Sequence, residues 1–212
     1  MFQIEIFIFN PFRENTYILY NERREAIIID AGAYFAEEAQ TLNDFISQEK
    51  LQPKLLLNTH CHLDHIFGCK AIAEKYNLEL AFHKNDEPLF ASGEQTGRQY
   101  GLPFEACKEK INFLNDGETI FLGEDKLQVI FTPGHSPGSV CFYCAEQNFL
   151  ISGDVLFHES IGRTDLAGGN HEQLLQSIKK KLFILPDETV VYPGHGAATT
   201  IGYEKVHNPF LS

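Results

Sequence analysis

Residues His60, His62, Asp64 and His65 place three imidazoles and a carboxylate directly after the apolar run Leu55-Leu56-Leu57. Imidazole and carboxylate are the donors that borderline divalent metals prefer, so a strand pouring them into a loop reads as half of a metal site. The other half lies further along the chain. His135 stands in Thr132-Pro133-Gly134-His135-Ser136-Pro137-Gly138, after the apolar run Leu127–Phe131. Asp154 stands in Ser152-Gly153-Asp154, after Phe149-Leu150-Ile151, and His195 in Pro193-Gly194-His195-Gly196, after Val190-Val191-Tyr192. Each time a strand of buried type ends in a glycine-bearing turn that presents one donor. Five of the nine histidines therefore fall at strand ends. Seven donors exceed the four that one tetrahedral zinc takes, which points to two ions.

The elements that must position these donors alternate between strand and helix. Residues 2–9, 16–20 and 26–30 read as a β-meander. Phe35–Lys50 carries a helical apolar stripe, strand 54–58 leads into the histidine motif, and Ile66–Tyr76 repeats apolar residues at helical spacing. Leu78–Phe82 is a further strand. Residues 91–110, rich in Gly, Gln and charge with little periodicity, read as a loop or lid. Asn115-Asp116-Gly117 is a turn signal between two β-runs. Asn170 is a helix N-cap, followed by a helix over 171–183 whose Lys179-Lys180-Lys181 offsets the dipole. The halves resemble each other weakly: hairpin, strand-end Asp (Asp30, Asp154), helix, strand-end His (His60, His195). Such duplication predicts an α/β fold, a four-layer αββα sandwich of two mixed sheets with helices outside and the donor loops along one rim.

Bulk properties narrow the function. A chain of 212 residues with 43% hydrophobic and 22% charged residues suits a soluble globular protein. A net charge of −12 argues against non-specific nucleic-acid or anionic-lipid binding. No apolar run reaches transmembrane length and no basic leader precedes the first strand. The five cysteines lack a disulfide-framework spacing, which suggests the reducing cytoplasm. Cys141 and Cys144 have CxxC spacing, but on a strand they face opposite sides and read as core thiols. Cys61 lies between two donors yet points away from them, in a packing or supporting role. Asp30 reads as a residue pinning the donor loops.

The pattern His60-x-His62-x-Asp64-His65, His135, Asp154, His195, in this order, resembles the metallo-β-lactamase superfamily over nearly the whole chain. Asn15-Thr16-Tyr17, Thr132–Gly138, Gly162-Arg163-Thr164-Asp165 and Pro193–Gly196 make it most similar to the compact glyoxalase II-like branch, the hydroxyacylglutathione hydrolases. The resemblance implies that His60, His62 and His135 hold one divalent ion, that Asp64, His65 and His195 hold a second, and that Asp154 bridges. Zinc is the expected metal, with iron or manganese as alternatives. A hydroxide between the ions would attack an acyl carbon, and catalytic Asp64 would help orient it. The implied substrate is a small anionic thioester of the S-lactoylglutathione type. Arg163 is the candidate grip for its carboxylate, a structural pairing with Asp165 being the other reading.

Full-length glyoxalase II carries a C-terminal helical glutathione-binding domain. The expectation here is one domain, 1–212, without it, so that glutathione recognition falls to residues 91–110, Arg163 and the tail. The same scaffold also serves a mononuclear-iron persulfide dioxygenase and hydrolases of lactones and phosphodiesters, and these remain alternatives.

Overall fold

The computed structural model describes residues 1–108 and 111–211. Six strands form a first sheet in sequence order: β1 (Gln3–Phe9), β2 (Glu14–Tyr20), β3 (Glu25–Ile29), β4 (Gln52–Leu57), β5 (Leu80–His83) and β6 (Ile111–Leu114). The first three pair antiparallel as a meander, and β3 to β6 run parallel. Helices α1 (Ala36–Gln48), α2 (Leu63–Ile66), α3 (Cys69–Tyr76) and α4 (Glu87–Gln99) lie in the connections between the parallel strands.

The second sheet comprises β7 (Thr119–Leu122), β8 (Asp125–Phe131), β9 (Val140–Cys144) and β10 (Phe149–Gly153), with a small separate hairpin of β11 (Leu156–Phe157) and β12 (Ser160–Ile161) following. After helix α5 (His171–Ser177), strands β13 (Val190–Pro193) and β14 (Thr199–Thr200) complete it in the order β14-β13-β10-β9-β8-β7, and helix α6 (Ile201–His207) comes last. Only β10 and β13 pair in parallel in this sheet.

Period-two alternation sorts the apolar side chains into layers. Tyr17, Leu19, Ile27, Ile29 and Leu57 of the first sheet meet Val129, Phe142 and Ile151 of the second. Their neighbours Ile18, Ile28 and Leu56 face outward onto Leu42 and Ile46 of α1 and Ile72 of α3. Leu150 and Val191 face outward onto Leu174 of α5 and Ile201 of α6. The molecule is therefore the four-layer αββα sandwich, and strands β2 and β3 are apolar throughout because both their faces are covered. Cys141 packs in the outer layer and Cys144 between the sheets, on opposite faces of β9. All five cysteines are buried, and none is in a disulfide. Among the described residues no helix is long and apolar enough to cross a membrane.

Three local expectations change. Residues 91–99 are helical, being the greater part of α4, because its buried face is Phe90, Gly93 and Gly97, and glycines add nothing to hydrophobic periodicity. Residues 102–108 are irregular, and 109–110 lie outside the described residues. The helix expected over 66–76 is broken: the Gly68 amide donates to the Ala31 carbonyl (2.8 Å), which separates α2 from α3. The Asn115–Gly117 turn lies between β6 and β7 as expected, and carries the chain from the first sheet to the second. The helix after Asn170, whose side chain accepts from the Gln173 amide, passes at Ile178–Leu182 into a π-helical turn.

The inter-sheet layer fixes how the two donor-bearing edges face each other. Phe142 is wholly buried in it, so Phe142→Ala should destabilise the fold by about 3–5 kcal/mol, read as a lowered urea midpoint at unchanged slope.

Candidate metal centre

All seven donors converge on one rim, at the ends of the strands. His60 and His62 follow β4, Asp64 and His65 lie in α2, His135 sits between β8 and β9, Asp154 follows β10 and His195 follows β13. They form two groups. In the first, His62 Nδ1 lies 2.8 Å from His135 Nε2, which lies 3.3 Å from His60 Nε2. In the second, Asp64 Oδ2 lies 3.2 Å from His195 Nε2 and 3.7 Å from His65 Nε2. The Asp154 carboxylate reaches both. One oxygen is 3.5 Å from His65 Nε2, and the other is 3.5 Å from both His135 Nε2 and His195 Nε2.

Each of four rings is turned inward by an oxygen behind it. His60 Nδ1 meets Thr59 Oγ1 at 3.0 Å, and that hydroxyl donates to Asp30 Oδ2 at 2.6 Å. His65 Nδ1 meets the same Asp30 oxygen at 3.1 Å. His135 Nδ1 meets the Arg163 carbonyl at 2.7 Å, and His195 Nδ1 the Phe12 carbonyl at 3.2 Å. An oxygen behind one ring nitrogen fixes the tautomer and leaves the lone pair of the other pointing into the site. Asp30, His60 and His65 also cluster by distance. Yet both Asp30 oxygens are occupied, by the Thr59 amide (2.7 Å), the Thr59 hydroxyl and His65, so Asp30 pins the loop, as its strand-end place suggested.

The backbone around the donors is equally tied down. Asn58 Nδ2 donates to the carbonyls of His60 and His65, closing the histidine loop. Asn15 donates to Pro193, Gly194 and Gly196 carbonyls, and the Tyr17 hydroxyl to Pro193 (2.6 Å), so the Asn15-Thr16-Tyr17 stretch is the cradle of the His195 turn. Gly194 must be glycine here, since a Cβ would run into Asp154 Oδ1 and His65 Cε1. Asn10 Nδ2 holds the Asp64 carbonyl at 3.0 Å.

Charge divides the two groups. Burial, together with His65 and His135, holds the His60 pKa well below its ordinary value, and burial with His135 pulls His62 down to about 3. Burial acts the same way on His65 and His195, but there the carboxylates of Asp64 and Asp154 win and both pKa values are raised. Burial would raise Asp64, and His65 and His195 overcome it, holding the carboxyl well below its usual range. His60 and His62 are thus preset as neutral imidazoles, and the second group is an imidazole–carboxylate cluster. Buried His65 Nε2 and Asp154 Oδ1 have no hydrogen-bond partner. Converging lone pairs, two carboxylates and orphaned donors suit cations of the imidazole–carboxylate class.

Arg163 follows β12. Its exposed guanidinium is engaged bidentately by Asp165 (2.7 and 2.6 Å), and its carbonyl orients His135. Cys61 is buried in the outer core layer and makes no approach to the donors. Thr59, Phe12 and Asp86 carry supporting contacts that sequence reasoning passed over. Two of these act through backbone carbonyl or hydroxyl groups that no motif marks. Asp86 lies three residues beyond β5, and no glycine-bearing turn marks it. Phe157 lies beside His195 (centroids 6.4 Å apart), and Phe12 packs edge-on to Tyr100 (6.2 Å), giving the rim apolar edges.

The Metallo-beta-lactamase superfamily model matches residues 9–195, and the chain belongs to that family. It is 38% identical over 95% of its length to the probable metallo-hydrolase YqgX of Bacillus subtilis, of which it covers 94%. It is 36% identical over 99% of its length to the hydroxyacylglutathione hydrolase GloC of Haemophilus influenzae, of which it covers 98%. Among solved structures it superposes on the BLEG-1 B3 metallo-beta-lactamase with a TM-score of 0.91 (38% identity, 99% of this chain and 100% of that one). On TTHA1623 in a di-iron-bound form the TM-score is 0.89 (35% identity, 98% and 100%). The family and fold are those of metal-dependent hydrolases.

The raised values of His65 and His195 mean that metal binding at the second group displaces protons, while His60 and His62 have none to lose. Zinc titration of the metal-free protein should therefore give one equivalent whose affinity falls less than the other's between pH 8 and pH 6.5. The other should weaken at the lower pH and release protons, read by calorimetry in buffers of different ionisation enthalpy. Equal pH dependence for both equivalents would contradict the charge division.

Proposed function

We propose that this chain is a dinuclear metal hydrolase that cleaves small anionic thioesters of the hydroxyacylglutathione type. The observation that carries the dinuclear part is the Asp154 carboxylate, whose two oxygens stand 3.5 Å from donors of both groups. His60, His62 and His135 would hold one ion and Asp64, His65 and His195 the other, with Asp154 shared. Bound there, such ions lower the pKa of water and polarise an acyl carbonyl. TTHA1623, over almost its whole length alike, was solved with two irons, which supports a count of two and admits iron beside zinc or manganese.

The chain's own residues supply the rest. Asp64, kept ionised by His65 and His195, faces the centre and orients the attacking water by accepting its hydrogen bond. The phenyl rings of Phe12 and Phe157 border the apolar side of the rim. Arg163 gives the rim a cation for a substrate carboxylate, which would take the place Asp165 now holds on its exposed fork. The thioester choice is supported by GloC. This chain covers 98% of that relative, so the hydroxyacylglutathione hydrolase name belongs to a chain of nearly the same extent, and an appended glutathione-binding domain is no requirement of the reading. Five buried cysteines, none of them in a disulfide, support a reducing compartment.

The deciding experiment is S-lactoylglutathione hydrolysis by protein reconstituted separately with zinc and with iron. Metal-dependent turnover at two ions per chain is expected. One iron per chain with oxygen consumption on a persulfide substrate would replace this reading by dioxygenation. Asp154→Ala should lose both the second equivalent of metal and the activity, and full metal with a normal rate would refute the shared carboxylate. Arg163→Ala should raise KM about 10–100-fold, the worth of a charged hydrogen bond, with kcat little changed. An unchanged KM would remove Arg163 from substrate binding.

A further inference from the structure

Asp86 is wholly buried. Its Oδ2 accepts from the Cys61 amide (2.8 Å) and the Ser136 hydroxyl (2.9 Å), and its Oδ1 from the Gly138 amide (2.5 Å). Cys61 lies between His60 and His62. Ser136 and Gly138 lie just after His135. The first loop leaves strand β4 of one sheet, and the second joins β8 to β9 of the other. One carboxylate thus ties together, across the two sheets, the loops that supply all three imidazoles of the first group.

The fit around it is close on every side. Ser136 Oγ also meets Ser139 Oγ at 2.8 Å, which holds the hydroxyl toward Asp86. A Cβ at Gly138 would stand 2.6 Å from the Asp86 amide nitrogen and 2.7 Å from its carboxylate oxygen, so only glycine lets the loop approach. Asp30 is the counterpart on the other side, since it braces Thr59 and His65. The histidine loop is strung between two buried carboxylates. Asp30 holds the second group's His65, and among the described residues the Asp86 carboxylate bonds only to the Cys61 and Ser136–Gly138 loops.

We infer that Asp86 is a positioning residue for the His60–His62–His135 site, setting the spacing of those imidazoles through Cys61 on one loop and Ser136 and Gly138 on the other. The inference rests on the dinuclear reading above. An asparagine of the same shape cannot replace it, because one of its two terminal atoms is an NH2 that would face the Gly138 amide or the Cys61 and Ser136 donors. Loss of such a support behind metal ligands costs roughly 10–100-fold in metal affinity, and here the loss falls on one site alone.

The test is cobalt(II) titration followed by absorption, with the bands assigned from His62→Ala (first site lost) and His195→Ala (second site lost). Wild type should take two equivalents. Asp86→Asn should keep the second-site bands at wild-type affinity while first-site affinity falls about 10–100-fold, and Ser136→Ala, which removes one of three donors, should shift it the same way by less. Equal weakening of both sites by Asp86→Asn, or no change at either, would overturn the inference while leaving the dinuclear reading intact. A wild type that takes one equivalent overturns both. Should Asp86→Asn fail to fold, Ser136→Ala decides: a selective first-site loss supports the role, and unchanged or equally weakened sites refute it.

Discussion

The centre depends on the oxygen that stands behind each ring. An imidazole is a useful donor only when its free lone pair points the right way, and that direction is set by what its other nitrogen holds. Asp30, the Thr59 hydroxyl, the Arg163 carbonyl and the Phe12 carbonyl do this for four histidines. Two of those four are backbone atoms, whose position is only as fixed as the loop that carries them. Much of the surrounding structure can be understood as the fixing of those loops: Asn10 on the Asp64 backbone, Asn15 and Tyr17 on the His195 turn, Asn58 within the histidine loop.

The two halves use one plan for different ends. In each, a hairpin gives way to a helix and then a parallel strand: β2-β3-α1-β4 in the first, β9-β10-α5-β13 in the second. Asp30 and Asp154 occupy corresponding strand ends. Asp30 is drawn back against Thr59 and His65, wholly buried, and serves the backbone. Asp154 stands forward between the triads, with one oxygen lacking a hydrogen-bond partner among the described residues. The same residue type at the same place in the plan has become a brace in one half and a donor in the other.

The layers, the two sheets and the strand-end places of the seven candidate residues were legible because each leaves a local mark. Apolar runs such as Val190–Tyr192 end abruptly in Gly or Pro, and the donor comes next. Helix α4 left no mark because its buried face is made by Gly93 and Gly97, and what packs there is Ile66 and Phe104 from elsewhere in the chain. Arg163 was noticed for its guanidinium, whereas the structure also uses its carbonyl, an atom every residue has. Asp86 escaped for a different reason. Its partners are backbone amides and a serine hydroxyl on two distant loops, and no spacing in sequence announces such a meeting.

The bond between His195 and the Phe12 carbonyl joins residues 183 positions apart, and Asn15 reaches Pro193 over 178. Contacts of that separation close the largest loops a chain of this length contains, and their closure entropy has to be met before they stabilise anything. The first triad asks for less, since its donors and their supports lie between Thr59 and Arg163. The two ends of the chain thus meet at the centre itself. Its His195 side is completed only when the first hairpin of the chain and its last parallel strand have been brought to the same edge.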